Sequence, residues 1–240
     1  MSIVINEIEY SVNGAVFDGA YAVDDSQVAK RPAVLVFHGW EGRSDAQTEI
    51  SRSLAGMGYV GFAVDVYGKG ICGEITGDNS ALMAPLLQDR ALLRDRVVGS
   101  VRFVRLLPEV DPKKVSAIGF CFGGLCVLDL ARSGIDICSV ASFHGLLGRP
   151  ESLPIIPIKA KVIAFHGWDD PMVSPAEVVA FGKELTEACA DWQLHAFGNT
   201  MHAFMAAGAN RPEAGIQYNE RSAKRAWAEL SLFLSETLGG

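Results

Sequence analysis

The chain of 240 residues lacks an excess of positive charge: 21 Lys and Arg stand against 28 Asp and Glu, a net charge of -7. Surfaces that bind nucleic acid or anionic membranes need clustered Lys and Arg, so neither partner is expected. No apolar run approaches the roughly 18 residues of a membrane span. The first residues, MSIVINEIEYSVNG, carry no basic leader, no long apolar stretch and no small-residue cleavage site. Cysteine is scarce and follows no pairing pattern. The five present (72, 121, 126, 138 and 189) are an odd number without C-x-x-C spacing, which argues against a disulfide framework and a zinc site. A cytoplasmic, reducing setting is the expectation, and it would keep any reactive thiol reduced. Long linkers and breaks in composition are also missing, so residues 1–240 read as a single domain; a monomer is the expected assembly.

What is present is a chain that is 49% hydrophobic and 20% charged, ordinary for a protein able to bury a sizeable core. The first 23 residues alternate weakly around Asn13-Gly14, a hairpin turn signal, and predict two antiparallel edge strands. Strands are then expected at 33–37, 59–65, 115–119, 137–143, 161–165 and 192–197. Helices are expected at 46–57, 81–107 (interrupted), 124–132, 175–189 and 216–236. Long loops fall at 67–80 and up to Pro157. Near-strict alternation of strand and helix predicts an α/β fold: a mostly parallel central sheet with helices on both faces and an N-terminal antiparallel hairpin. Phe-His-Gly-Trp occurs at 37–40 and again at 165–168, each time where a buried strand opens into a loop. In open α/β sheets the carboxyl edge of the strands is where ligands bind.

The stretch Gly119-Phe-Cys121-Phe-Gly123-Gly124 sits between a short apolar strand and a helix. It has the form of the G-x-S-x-G nucleophile elbow with Cys in place of Ser. A tight strand-to-helix turn lifts the central side chain clear of the sheet, and the helix N-terminus favours a thiolate there. The competing reading is a small buried cysteine in a glycine-rich bend. An acid and a base should follow in that order. Asp169-Asp170-Pro171 follows the strand at 161–165, and spacing favours Asp170. These carboxylates could equally form an Asx turn and cap the next helix. His202 lies in the loop after the last strand, free to swing over the sheet edge. His195 falls inside a strand and reads as structural, while His38 and His166 close strands and brace loops. Oxyanion donors are expected at the backbone N–H of Phe122 and of Trp40, with Gly39 allowing an unusual turn beside the latter.

With these residues in place the chain resembles the dienelactone hydrolase family of α/β-hydrolases, from Ala33 onward. The motif Gly-x-Cys-x-Gly-Gly carries the resemblance. Cys121, Asp170 and His202 fall on the family's Cys-Asp-His triad, and Val64-Asp-Val-Tyr-Gly68 is similar to its strand-ending Pro-Asp-Leu-Tyr segment. The resemblance implies opening of small unsaturated lactones without metal or organic cofactor. Two positions depart from it. The family commonly has Glu directly after the position of His38, where this chain has Gly39 with Glu41 two residues on. It also has an Arg four residues beyond the triad His, where this chain has Ala206. Both departures point away from dienelactone itself and toward uncharged small esters or lactones. Substrate-facing candidates are Glu41, Arg43, Tyr67, His144, Trp168 and Phe204. Arg43, Lys69, Arg90 and Arg211 are the cations that could replace the missing Arg. Rival readings are a thioesterase or acyltransferase on the same triad, and a non-catalytic ligand-binding relative.

Overall fold

Asn13 and Gly14 take positive φ angles of 49° and 85° and fold β1 (Ile3–Val12) back on β2 (Ala15–Asp24) in an antiparallel pair. Two consecutive left-handed residues are what a tight two-residue hairpin needs. The structure, a computed structural model, describes residues 2–74, 77–150 and 153–239. Positions 75–76 of the loop read over 67–80, and 151–152 of the loop ending at Pro157, lie outside them.

The other main strands are β3 (Arg31–Phe37), β4 (Val60–Val64), β5 (Val110–Phe120), β6 (Ser139–Phe143), β7 (Lys161–Gly167) and β8 (Trp192–Phe197). They form an eight-stranded sheet in the order β1-β2-β4-β3-β5-β6-β7-β8. The pairs β3/β4, β6/β7 and β7/β8 run parallel, and β2/β4 antiparallel. The hairpin is as expected, but only β1 is an edge strand, since β2 also pairs with β4. All of β4 and β6 is buried, as expected of strands covered on both faces, and β6 buries Ser139 and Ser142 with its apolar residues.

The chain packs as two compact units, Met1–Ile118 and Gly119–Gly240. In the first, α1 (Asp45–Gly56) rests on β2, β3 and β4 and starts from a Ser44/Gln47 capping box. The helical stretch expected over 81–107 is two helices, α2 (Ser80–Gln88) and α3 (Arg90–Val104). Asp89 separates them and caps the second by accepting from Leu92 N–H at 2.9 Å. Tyr10 stacks between Phe17 and Phe103, at ring distances of 5.4 and 4.9 Å. Its hydroxyl donates to the Asp65 carbonyl at 2.8 Å, so a buried ring keeps its polar tip satisfied.

In the second unit α4 (Phe122–Arg132) packs on β6, and α6 (Glu220–Leu238) on β6 and β7. The rings of Phe120, Phe143 and Phe165 stack in series at 4.8 and 4.6 Å. Arg132 clamps Glu184 of α5 (Pro175–Glu187) through two 2.8 Å bonds. Removing one partner of so well-shielded a pair typically costs about 3–5 kcal/mol. The sequence reading missed a two-stranded ladder, β9 (Asn210–Arg211) with β10 (Ile216–Gln217). Among the described residues no helix is long and apolar enough to cross a membrane.

Candidate functional site

Cys121 stands between β5 and α4 with φ 54° and ψ −115°, a setting L-residues rarely adopt and which costs of order 1–3 kcal/mol. Close packing enforces the bend. A Cβ on Gly119 would lie 2.0 Å from the Gly123 carbonyl oxygen, and one on Gly124 would lie 2.7 Å from the Gly145 Cα. The Cys121 N–H donates to the Phe143 carbonyl at 3.0 Å and to His144 Nδ1 at 3.2 Å. Phe122 opens α4 with its side chain fully buried, and first-turn N–H groups point out of a helix N-terminus.

Asp170 and His202 meet. Asp170 Oδ2 lies 2.7 Å from His202 Nδ1, and both residues are buried. The other carboxylate oxygen, Oδ1, accepts from the Met172 N–H at 2.9 Å, so Asp170 makes an Asx turn and holds the imidazole at once. Neither carboxylate caps the next helix: Ser174 does, with Glu177 completing a capping box. Asp169 is exposed. The backbone of His202 is tied down by bonds of 2.9 Å to the Gly215 carbonyl and 3.0 Å from the Gln217 N–H. The ladder missed by the sequence reading is therefore what fixes this histidine. Its only signals were Pro212 and Gly215, of which Gly215 is left-handed at φ 70°.

Burial disfavours the charged form of His202 and is the largest single influence on it. The hydrogen bond with Asp170 and then the nearby Cys121 sulfur outweigh it together, and its pKa is raised to about 10. Its Nε2 is buried with no partner of standard hydrogen-bond geometry. Cys121 is nonetheless close enough that a thiolate there favours the protonated ring.

His144 is buried, with its ring 5.1 Å from that of His202 and 5.3 Å from Phe204. Burial, and next the proximity of His202, push its pKa well below the usual value. Phe204 is fully buried and also packs edge-on to Phe197, whereas Trp168 is 49% exposed. His166 is buried beside Trp168, and His195 lies within β8.

The remaining candidates belong to the first unit. His38 Nε2 accepts from the Val66 N–H at 3.1 Å, so its Nδ1 donates to the Gly39 carbonyl at 2.6 Å and the ring braces two loops. The left-handed residue of this loop is Gly42, at φ 94°, rather than Gly39. A Cβ at Gly39 would instead lie 2.5 Å from the Glu41 carboxylate. Burial pushes the Glu41 carboxyl up, against backbone N–H groups and Gln47, which pull it down. The Trp40 carbonyl accepts from the Tyr67 hydroxyl at 2.8 Å. Arg43 pairs with Glu7 at 2.9 Å, and Lys69 pairs with Glu9. Among the described residues no group of three or more His, Cys, Asp or Glu side chains is placed to hold a metal ion.

A family model described as "Dienelactone hydrolase family" matches residues 17–238. A protein of Aquifex aeolicus named "Putative carboxymethylenebutenolidase" is 32% identical over 203 residues, covering 82% of this chain and 84% of its own. A Bradyrhizobium protein named "Probable 2-oxo-3-(5-oxofuran-2-ylidene)propanoate lactonase" is 26% identical over 231 residues, covering 92% and 90%. Among solved structures, a dienelactone hydrolase-like promiscuous phosphotriesterase from metagenomic libraries superposes with a TM-score of 0.93 at 30% identity, covering 99% of both chains.

Proposed function

The chain belongs to the dienelactone hydrolase family of the α/β-hydrolase superfamily, and from that premise we propose that it cleaves small carboxylic esters or lactones with Cys121 as nucleophile. The observation that carries this is the 2.7 Å contact of Asp170 with His202 Nδ1, with the opposite ring nitrogen buried beside Cys121. Asp170 fixes the tautomer in which Nε2 serves the thiol. With its pKa raised to about 10, His202 already holds the proton given up by Cys121, and the Cys121 thiolate attacks the carbonyl carbon. The oxyanion that forms is held by the N–H groups of Phe122 and Trp40. The C–O bond then breaks, His202 protonates the departing alkoxide, and a thioester remains on Cys121. Water then attacks the thioester and gives its proton to His202, and the acid leaves with the Cys121 thiolate and the protonated His202 restored. No metal or organic cofactor enters these steps.

The proposal extends to a single domain over the whole chain, supported by the family match from 17 to 238. It extends to a cytoplasmic monomer, and to Glu41, Arg43, Tyr67, His144, Trp168 and Phe204 as the residues around the substrate. Iodoacetamide tests the nucleophile. Brief labelling at neutral pH and peptide mapping should find Cys121 modified before Cys72, Cys126, Cys138 and Cys189, with loss of p-nitrophenyl acetate turnover. Equal labelling of several cysteines with turnover intact overturns the assignment and favours a ligand-binding relative. Preference for thioester over oxygen-ester substrates would mark a thioesterase, and release of acyl groups to thiols or alcohols in preference to water an acyltransferase.

A second reading, phosphotriester cleavage, is favoured by the solved relative at 30% identity, which is named as a promiscuous phosphotriesterase. The same thiolate would displace p-nitrophenolate from phosphorus. Turnover of a p-nitrophenyl phosphotriester that Cys121→Ala abolishes would support it.

A further inference from the structure

We propose that His144 is a positioning residue for Cys121: its Nδ1 lone pair, carried on a strained turn, holds the backbone at Cys121 so that the sulfur stays aligned with His202. The inference rests on the reading of Cys121 as nucleophile and adds to it the residue that sets the elbow.

The tautomer follows from donor and acceptor identities. The Cys121 N–H is a donor, and it lies 3.2 Å from His144 Nδ1. Nδ1 must therefore carry the lone pair, and the proton sits on Nε2. That proton is buried with no hydrogen-bond partner, an uncommon state for a buried polar atom and one that asks for a reason. The surroundings do not supply it. The ring is flanked by Phe120 at 6.1 Å and Phe204 at 5.3 Å, where an apolar side chain would meet no such penalty. Among the described residues, the side-chain bond of standard geometry that this ring makes to another residue is the one to Cys121. Burial and the proximity of His202 keep it uncharged, which preserves the lone pair.

The backbone agrees. His144 itself is left-handed at φ 38°, directly after β6, and its N–H donates to the Phe165 carbonyl at 2.8 Å. One residue on, a Cβ at Gly145 would lie 2.4 Å from Ser142 Oγ and 2.8 Å from the Gly124 carbonyl carbon. The turn 142–145 is thus pressed against the first turn of α4 while Nδ1 grips the residue before that turn. Two strained positions, Cys121 and His144, are joined by this bond, in which the Cys121 N–H is shared between His144 Nδ1 at 3.2 Å and the Phe143 carbonyl at 3.0 Å.

The test compares His144→Phe, which keeps a ring and loses the acceptor, with His144→Asn, whose Oδ1 can stand where Nδ1 stood. Readouts are kcat and KM for p-nitrophenyl acetate, melting temperature, and the pH profile of Cys121 alkylation. For His144→Phe, kcat should fall by about tenfold or more with KM within about threefold, and the alkylation midpoint should move to higher pH. His144→Asn should stay within about threefold of the parent in kcat and keep its profile. A purely structural role would lower the melting temperature of both variants and leave the profile in place, and that result overturns the proposal. If His144→Phe does not fold, His144→Gln, whose acceptor sits at the Nε2 position, takes its place with the same expectation. Cys121→Ala separates the two levels. Activity surviving in Cys121→Ala sinks the nucleophile, whereas an inactive Cys121→Ala beside a fully active His144→Phe sinks only the role of His144.

Discussion

Asp170 Oδ2 lies 2.7 Å from His202 Nδ1, and the two side chains are 0% and 3% exposed. Contacts so well shielded are held far more strongly than surface pairs, and they settle which carboxylate of the Asp169-Asp170 pair touches the histidine.

Asp170→Asn should therefore cut kcat/KM far more than Asp169→Asn does. Loss of the acid presents the wrong tautomer of His202, and the corresponding change in the serine proteases costs about 10⁴ in kcat. Steady-state kinetics on one ester decide it; greater damage from Asp169→Asn would be inconsistent with the geometry.

Stability should depend on pH through the same residue. His202 is raised to about 10 when folded, against about 6.5 in an unfolded chain. The folded chain binds that proton more tightly, so the stabilisation is complete below about pH 6.5 and is lost as pH rises through about 10. The melting temperature should fall across this window, and His202→Gln should flatten that part of the curve. An unchanged slope in His202→Gln would remove His202 as its source.

Much of this was legible in the sequence because the signals were local. Gly119-x-Cys121-x-Gly123 names its own turn, and the apolar runs at 33–37 and 161–165 mark strands buried on both faces. Other features depend on distant partners. The strand expected at 115–119 is longer in the structure, where β5 begins at Val110 and takes in Asp111 and Pro112, because tertiary context overrides local propensity. Gly124 and Gly145 leave no periodic trace, since their role exists only where two segments nearly touch. Nor does the sequence tell how deep a side chain lies: Phe204 is fully buried, its ring 5.3 Å from that of His144.

Close approach at the elbow makes a prediction about stability. Gly124→Ala would place a methyl 2.7 Å from the Gly145 Cα, and overpacking of this kind costs about 1–3 kcal/mol. Thermal unfolding should show the loss, and kcat should fall with it as Cys121 shifts. A variant with the parent melting temperature would mean that the turn at 142–145 yields freely.

Substrate charge is the next expectation. Ala206 is exposed, and Arg43 and Lys69 are engaged with Glu7 and Glu9. A neutral lactone should be preferred over dienelactone, and Ala206→Arg should narrow the gap by about tenfold or more, since a charge-assisted pair contributes about 1.5–3 kcal/mol. Comparison of kcat/KM for the two lactones in both proteins checks it. Tenfold preference for dienelactone in the parent protein would show that another cation already serves.

The ladder behind His202 has a consequence for how such a site diversifies. The histidine is anchored through Gly215 and Gln217, and Phe204 is anchored through the Asn219 N–H to its carbonyl at 3.2 Å. Between these moorings Ala206, Ala207 and Gly208 are exposed, and a Cβ on Gly208 would meet nothing within 4 Å. This short span therefore has room to change in length and chemistry, by mutation or by graft, without touching the backbone bonds that hold His202.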